Sequence, residues 1–279
     1  MRVLRTRAEL RAALADVPRP LGLVPTMGWL HTGHRSLMAR ARAENATTIA
    51  SIFVNPRQFN EAADYQRYPR NEAHDLAICE EEGLDLVFAP AVEEIYPPGF
   101  DTVVSVGTVA RPLEGAARPG HFDGVATVVA ILFNLVGAER AYFGQKDAQQ
   151  VLVIRQMARD LAIRTEVIAC PTVREPDGLA LSSRNVHLSP DQRAAAPVLR
   201  RALLAARARW EGGERSGDAL RAAMSEVLAG EALATPAYVS VADGRTLAEL
   251  DDVPDGVPTL LSLAVRLGST RLIDNELLD

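Results

Sequence analysis

Short apolar runs alternate with amphipathic stretches through the first two-thirds of the chain. Leu21 to Pro25, Thr48 to Val54, Asp85 to Ala89, Arg140 to Gly144 and Arg164 to Cys170 are rich in Val, Ile, Leu and Phe, the pattern of strands buried on both faces. Between them, Gly33 to Asn45, Glu72 to Glu82, Val125 to Leu135 and Gln149 to Leu161 carry helical periodicity. This rhythm predicts an α/β fold with a Rossmann-like, mostly parallel sheet and helices on both faces. After about Asn185 the texture changes. Ser189 to Trp210 and Gly217 to Leu228 predict Ala- and Arg-rich helices, the first opening on an N-cap Ser followed by Pro. Strand-like runs follow at Ala237 to Val241, Thr259 to Val265 and Thr270 to Ile273, with Asp251 to Pro258 as a connecting loop. Two domains are expected: a larger one over 1–185 and a smaller α+β one over 186–279 packed against it.

In an open parallel sheet the ligand lies beyond the carboxyl ends of the strands. That rule selects the loops Thr26 to His34, Asn55 to Asn60 and Gln145 to Gln150, each dense in polar groups. The first is the most informative. A strand runs into Met27-Gly28-Trp29-Leu30-His31-Thr32-Gly33-His34 and then into a helix. A helix start offers unpaired N–H groups and a positive dipole end, and both favour phosphate. Gly28 and Gly33 permit a close backbone approach. His31 and His34, three residues apart, can turn both imidazoles to one side and donate to phosphoryl oxygens. The alternative is a pair of capping or core histidines.

Composition narrows the partners. With 48% hydrophobic and 24% charged residues in 279, the chain suits a soluble globular protein. A formal charge of −6 argues against nucleic acid as a partner, though not against a local basic pocket for one nucleotide. The longest apolar stretches, such as Val125 to Val136, are too short to span a bilayer, and the first residues lack the order of a signal peptide. Cys79 and Cys170 have neither metal spacing nor a disulfide framework and read as buried structural thiols. A cytoplasmic protein is expected.

The Pro-Thr-Met-Gly-x-Leu-His-x-Gly-His segment resembles the His-x-Gly-His signature of the nucleotidylyltransferase superfamily, and in this longer form that of the pantothenate synthetase family. The resemblance continues through Ser51 to Phe59, Tyr68-Pro69-Arg70, Leu113-Glu114-Gly115 and Arg118 to Phe122. It then covers Phe143 to Asp147, Asp177 to Asn185 and Arg271 to Asn275, nearly the whole chain. It implies a ligase that joins pantoate to β-alanine with ATP through a pantoyl adenylate, releasing AMP and pyrophosphate. It also implies a homodimer and a small domain that closes over the site.

The resemblance assigns the Met27 to His34 segment, Gly144, Gln145, Lys146, Asp147, Val173, Leu181, Ser182, Ser183 and Arg184 to ATP. His31, His34, Lys146 and Arg184 are its catalytic candidates; a Lys point charge and a planar Arg fork both suit phosphates. Gln58 and Gln150 match its pantoate-contacting glutamines, although Gln149 is equivalent to Gln150 by composition, and Asn55 is placed near the second substrate. Arg118 and His121 sit in a Gly/Pro-rich stretch that fits either a site loop or a structural turn. Asp147 would help hold Mg²⁺, with Asp75 as a weaker candidate, since a solvent-facing helix position is the expectation for Asp75. Three positions depart from the family pattern: Gln145 where Glu is common, Ala148 where an aromatic is common and Arg57 where Met is common. Two other readings stand beside the ligase: another nucleotidylyltransferase of the superfamily, and a catalytically silent nucleotide-binding protein on the same fold.

Overall fold

The computed structural model describes residues 1–60 and 62–278. The chain forms two compact units, Met1–Gly144 with Gln149–Pro171, and Gln145–Ala148 with Thr172–Asp279. In the first unit the strands are β1 (Arg2–Leu4), β2 (Leu21–Thr26), β3 (Thr47–Ile52), β4 (Leu86–Phe88), β5 (Arg140–Gly144) and β6 (Glu166–Cys170). They form one sheet in the order β1-β4-β3-β2-β5-β6, and every pairing is parallel. The order reverses between β2 and β5, which marks the carboxyl end of β2 as the expected ligand crevice.

The sheet is covered on both faces because its strands are apolar at successive positions, not alternate ones. Val24, Ala50, Val87 and Tyr142 share a core with Leu37, Met38 and Ala41 of helix Thr32–Glu44 and with Ile78 and Cys79 of helix Glu72–Glu81. The intervening Leu23, Ile49, Leu86 and Ala141 are buried as well. Helix His121–Val136, apolar nearly all round, packs on β2. Burial pushes the Cys79 thiol up to about 12 and raises Cys170 too, as inert structural thiols require. The hydrophobic pattern predicts neither β1 nor helix Arg7–Leu14. The helix starts on a capping box, the Thr6 hydroxyl on the Glu9 amide and the Glu9 carboxylate on the Thr6 amide.

The second unit carries an antiparallel sheet in the order β7 (Ala234–Asp243), β8 (Thr259–Leu267), β9 (Thr270–Leu278). Leu199, Ala202, Leu203 and Ala206 of helix Val198–Glu211 share a core with Leu220 and Met224 of helix Gly217–Ala229 and with Leu261, Leu263 and Val265 of β8. The single helix expected over Ser189 to Trp210 is two, Pro190–Ala195 and Val198–Glu211. Pro197, at the N-cap of the second, has no N–H to continue the first. On β9, Glu276 accepts hydrogen bonds from Arg200 and from Arg207, the latter at 2.5 Å. Burial alone would raise the Glu276 pKa, but the two guanidinium groups outweigh it and hold the carboxyl below the usual range. Among the described residues no helix is long and apolar enough to cross a membrane.

Candidate active site

At the carboxyl end of β2 the chain turns sharply. Gly28 has φ +81° and Trp29 φ +52°, so two successive residues occupy the left-handed region. A non-glycine residue there carries a cost of order 1 kcal/mol, which its surroundings must offset. The offset comes from Asp75, on the helix Glu72–Glu81. Its Oδ2 accepts from the Trp29 amide at 2.9 Å and its Oδ1 from the Leu30 amide at 2.8 Å. A Cβ on Gly28 would stand 2.7 Å from Asp75 Oδ2, so glycine is required there for space as well as for φ. The expected solvent-facing Asp75 is thus corrected. It is 1% exposed, and both oxygens are committed to the loop.

The turn delivers His31 as N-cap of helix Thr32–Glu44. His31 Nδ1 accepts from the Gly33 amide at 3.1 Å, and His34 Nδ1 accepts from the His31 amide at 3.3 Å. A backbone N–H can only donate, so both Nδ1 atoms are lone-pair acceptors and the ring proton of each imidazole sits on Nε2. The two rings lie 4.1 Å apart, centroid to centroid. Capping and ligand donation are therefore compatible, since one ring nitrogen serves each.

Beyond β3, Asn55 is 1% exposed. Its Oδ1 accepts from the Arg57 amide (3.2 Å) and the Tyr96 hydroxyl (2.7 Å), while its Nδ2 donates to Gly124 O and Gln58 Oε1 (both 3.0 Å). The Arg57 amide can only donate and the Gly124 carbonyl only accept, which fixes the orientation of the Asn55 amide. Gln58 must then give Oε1 to Asn55, which leaves Nε2 to donate to Met27 Sδ at 2.9 Å. Burial keeps the Tyr96 hydroxyl protonated by raising its pKa, so it remains a donor. Gly124 makes this arrangement possible: a Cβ there would meet Arg57 O at 2.3 Å and Gln58 N at 2.7 Å. His121 Nδ1 and Arg118 Nη2 lie 2.8 Å and 3.3 Å from the Gln58 carbonyl, which places both against the backbone of the loop. Sequence reasoning missed Tyr96, and the Ile95-Tyr96-Pro97 segment carries no chemical signal for it.

The two neighbouring glutamines, equivalent by composition, separate here. Gln149 is buried and spends its amide on the Glu114 amide and the Val109 and Pro112 carbonyls. Gln150 is partly exposed and has no side-chain hydrogen bond among the described residues. Helical phase alone decides which one is available.

In the second unit, Lys146 occupies a 3-10 turn, Gln145–Asp147, that leaves β5 directly after Gly144. Its Nζ is 3.4 Å from Asp147 Oδ1. Lys146 and Ser182 line one small cavity together with Leu179, Ala180, Asn185 and Asp274. Ser182 caps the 3-10 turn Ser183–His187 through the Arg184 amide, and the Leu181 amide bonds the Val173 carbonyl. Arg184 is exposed, has no side-chain partner among the described residues, and is not among the residues lining the cavity. Of the departures from the family pattern, Arg57 lies over the Tyr96 and Phe100 rings, and Ala148 is buried.

A family model described as pantoate-beta-alanine ligase matches residues 2–277. The chain belongs to that family. It is an enzyme of the ligase class, and its sheet and small antiparallel C-terminal sheet are those of the family's solved structures. A pantothenate synthetase of Roseiflexus castenholzii is 61% identical over the full length of both chains. A pantothenate synthetase structure from Thermus thermophilus is 52% identical, with a TM-score of 0.93 and 99% of each chain covered. A third similar structure is the pantoate-beta-alanine ligase of Francisella tularensis, complexed with beta-gamma ATP and beta-alanine. It is 34% identical with a TM-score of 0.81, covering 99% of this chain and 97% of that one.

Proposed function

We propose that this ligase condenses pantoate with β-alanine at the expense of ATP, through a pantoyl adenylate. A pantoate carboxylate oxygen attacks the α-phosphorus, and the bond to the β-phosphate bridging oxygen breaks, releasing pyrophosphate. The β-alanine amine, having lost a proton to solvent, then attacks the acyl carbon, the carbon–oxygen bond to AMP breaks, and the nitrogen gives up a second proton to solvent. The observation that supports this best is the imidazole pair at the helix start, with each Nδ1 turned toward the backbone and each ring proton carried on Nε2 of a neutral ring. Such donors stabilise negative charge developing on phosphoryl oxygens and need no proton transfer of their own. Lys146 and Arg184 supply positive charge to the phosphates, with Ser182 and Ser183 as hydroxyl donors and Gly144 to Asp147, Val173 and Leu181 as further ATP contacts. Gln58, presenting Nε2, is matched to an acceptor oxygen of pantoate; Gln150 is its uncommitted counterpart, and Asn55 acts through Gln58.

Mg²⁺ is proposed with ATP. Among the described residues no cluster of three or more His, Cys, Asp or Glu side chains comes together, and Asp75 is taken up by the loop. The half-exposed Asp147 carboxylate fits a cation held mainly by phosphate oxygens. When bound, the ion neutralises phosphate charge. A cytoplasmic homodimer completes the proposal. Incubation with ATP, Mg²⁺, pantoate and β-alanine is expected to yield pantothenate, AMP and pyrophosphate in equal amounts. ADP among the products, or AMP formed without pantoate, would overturn it.

A further inference from the structure

We infer that Asn275, near the end of β9, is a positioning residue that sets where the Lys146 ammonium stands. A 3-10 turn of three residues has almost no stability of its own, because one turn cannot satisfy its own carbonyls. Asn275 supplies what the turn lacks. Its Nδ2 donates to the Gln145 carbonyl at 2.9 Å and to the Lys146 carbonyl at 2.8 Å, using both protons on successive peptide groups. Both partners can only accept, so the orientation of the Asn275 amide is settled and Oδ1 points the other way. There Gln145 Nε2 approaches it at 3.4 Å. The neutral Gln145 side chain is therefore complementary to the clamp; a carboxylate in its place would set oxygen against oxygen.

The clamp is itself anchored. Asn275 is 5% exposed, and its backbone N–H is held by Asp274 Oδ1 at 2.8 Å. Asp274 is in turn paired through both oxygens with Arg174, at 2.6 Å and 2.9 Å. A bidentate Arg–carboxylate pair this buried is geometrically stiff. A Lys stem has four rotors, so the direction in which it reaches is governed by where its backbone is fixed. Asn275 fixes that backbone beside the cavity that Lys146 shares with Ser182 and Asp274.

This inference rests on Lys146 meeting the phosphates of ATP, and two measurements separate the parts. Hydrogen exchange on the full chain reads the clamp itself: Asn275→Asp, which turns a donor into an acceptor facing two carbonyls, is expected to deprotect the amides around 145–148. Unchanged exchange there overturns the clamp whatever Lys146 does. Calorimetric titration with ATP reads the consequence. Asn275→Asp is expected to weaken ATP binding about tenfold, yet less than twofold on a Lys146→Ala background, because the effect passes through Lys146. A tenfold loss persisting without Lys146 overturns the positioning role. If Lys146→Ala alone leaves ATP affinity intact, it is the phosphate reading that fails. Should Asn275→Asp not fold, Asn275→Ala deletes both donated bonds without setting a new oxygen against the carbonyls and carries the same cycle, with a loss of about threefold expected.

Discussion

Replacing Asn55 by Asp changes one atom's hydrogen-bonding sense while keeping shape. Asn55 Oδ1 would go on accepting from the Arg57 amide and the Tyr96 hydroxyl. The other arm, an oxygen where Nδ2 was, would face the Gly124 carbonyl and Gln58 Oε1, both at 3.0 Å in the wild type. Gln58 can respond by rotating its amide; the Gly124 carbonyl, being backbone, cannot. The minimum cost is an acceptor set against a buried carbonyl, about 1–3 kcal/mol. Burying the new charge adds to it, because Asn55 is only 1% exposed. The amide rotation has a separate signature. If Gln58 contacts pantoate as proposed, the rotation would offer it Oε1 in place of Nε2, and the pantoate KM is expected to rise about tenfold, the worth of one mispaired polar contact. The assays are denaturant unfolding near neutral pH and pantoate-dependent ATP–pyrophosphate exchange. Because a protonated Asp could donate to Gly124 O, the stability deficit should shrink as pH falls. Unchanged stability together with an unchanged pantoate KM would refute the idea that Asn55 sets the polarity of Gln58.

Asp75→Asn keeps one acceptor oxygen but aims an NH₂ group at either the Trp29 or the Leu30 amide. Relief of a buried charge offsets part of the loss, but a donor facing a donor should prevail, with destabilisation of about 1–3 kcal/mol in denaturant unfolding; no change would mean the amides do not depend on the carboxylate. Glu276→Gln should lose about 1–2 kcal/mol near neutral pH, where the wild-type carboxylate bridges Arg200 and Arg207. The folded pKa of Glu276 is depressed, so its contribution is fully present above the unfolded carboxyl value of ~4.3 and is lost as pH falls through the lower folded value. The difference between wild type and variant should therefore narrow in acid; a constant difference down to the lowest pH at which both fold would contradict this.

The buried parallel strands were legible because both faces are covered, which leaves unbroken apolar runs: β5, Arg140–Gly144, has the limits its pattern predicts. β1 was not legible, for it is three residues long with two of them exposed. Helix Arg7–Leu14 did carry a readable mark, Thr6 followed three residues later by Glu9. So did the break at Pro197, which a long Ala/Arg pattern concealed. In the site, a helix start bearing two histidines is readable from spacing; the structure shows both rings capping through Nδ1, which leaves each Nε2 for the proposed donation. Asp75 could not be placed. Its partners lie 45 and 46 residues away, and a helical Asp ordinarily faces water. Nor could composition tell Gln149 from Gln150, since one residue of helical rotation separates a structural amide from an uncommitted one.

Capping through Nδ1 means that a second proton on either imidazole costs the helix start a cap, a penalty of about 1 kcal/mol. Charging a ring would convert the lone pair that receives the Gly33 or His31 amide into a donor facing a donor. Gaining a cation and loosening the turn that carries it would then be a single event. The geometry of the helix start therefore favours two neutral rings, and a charge gained there is offset in part by the cap it gives up.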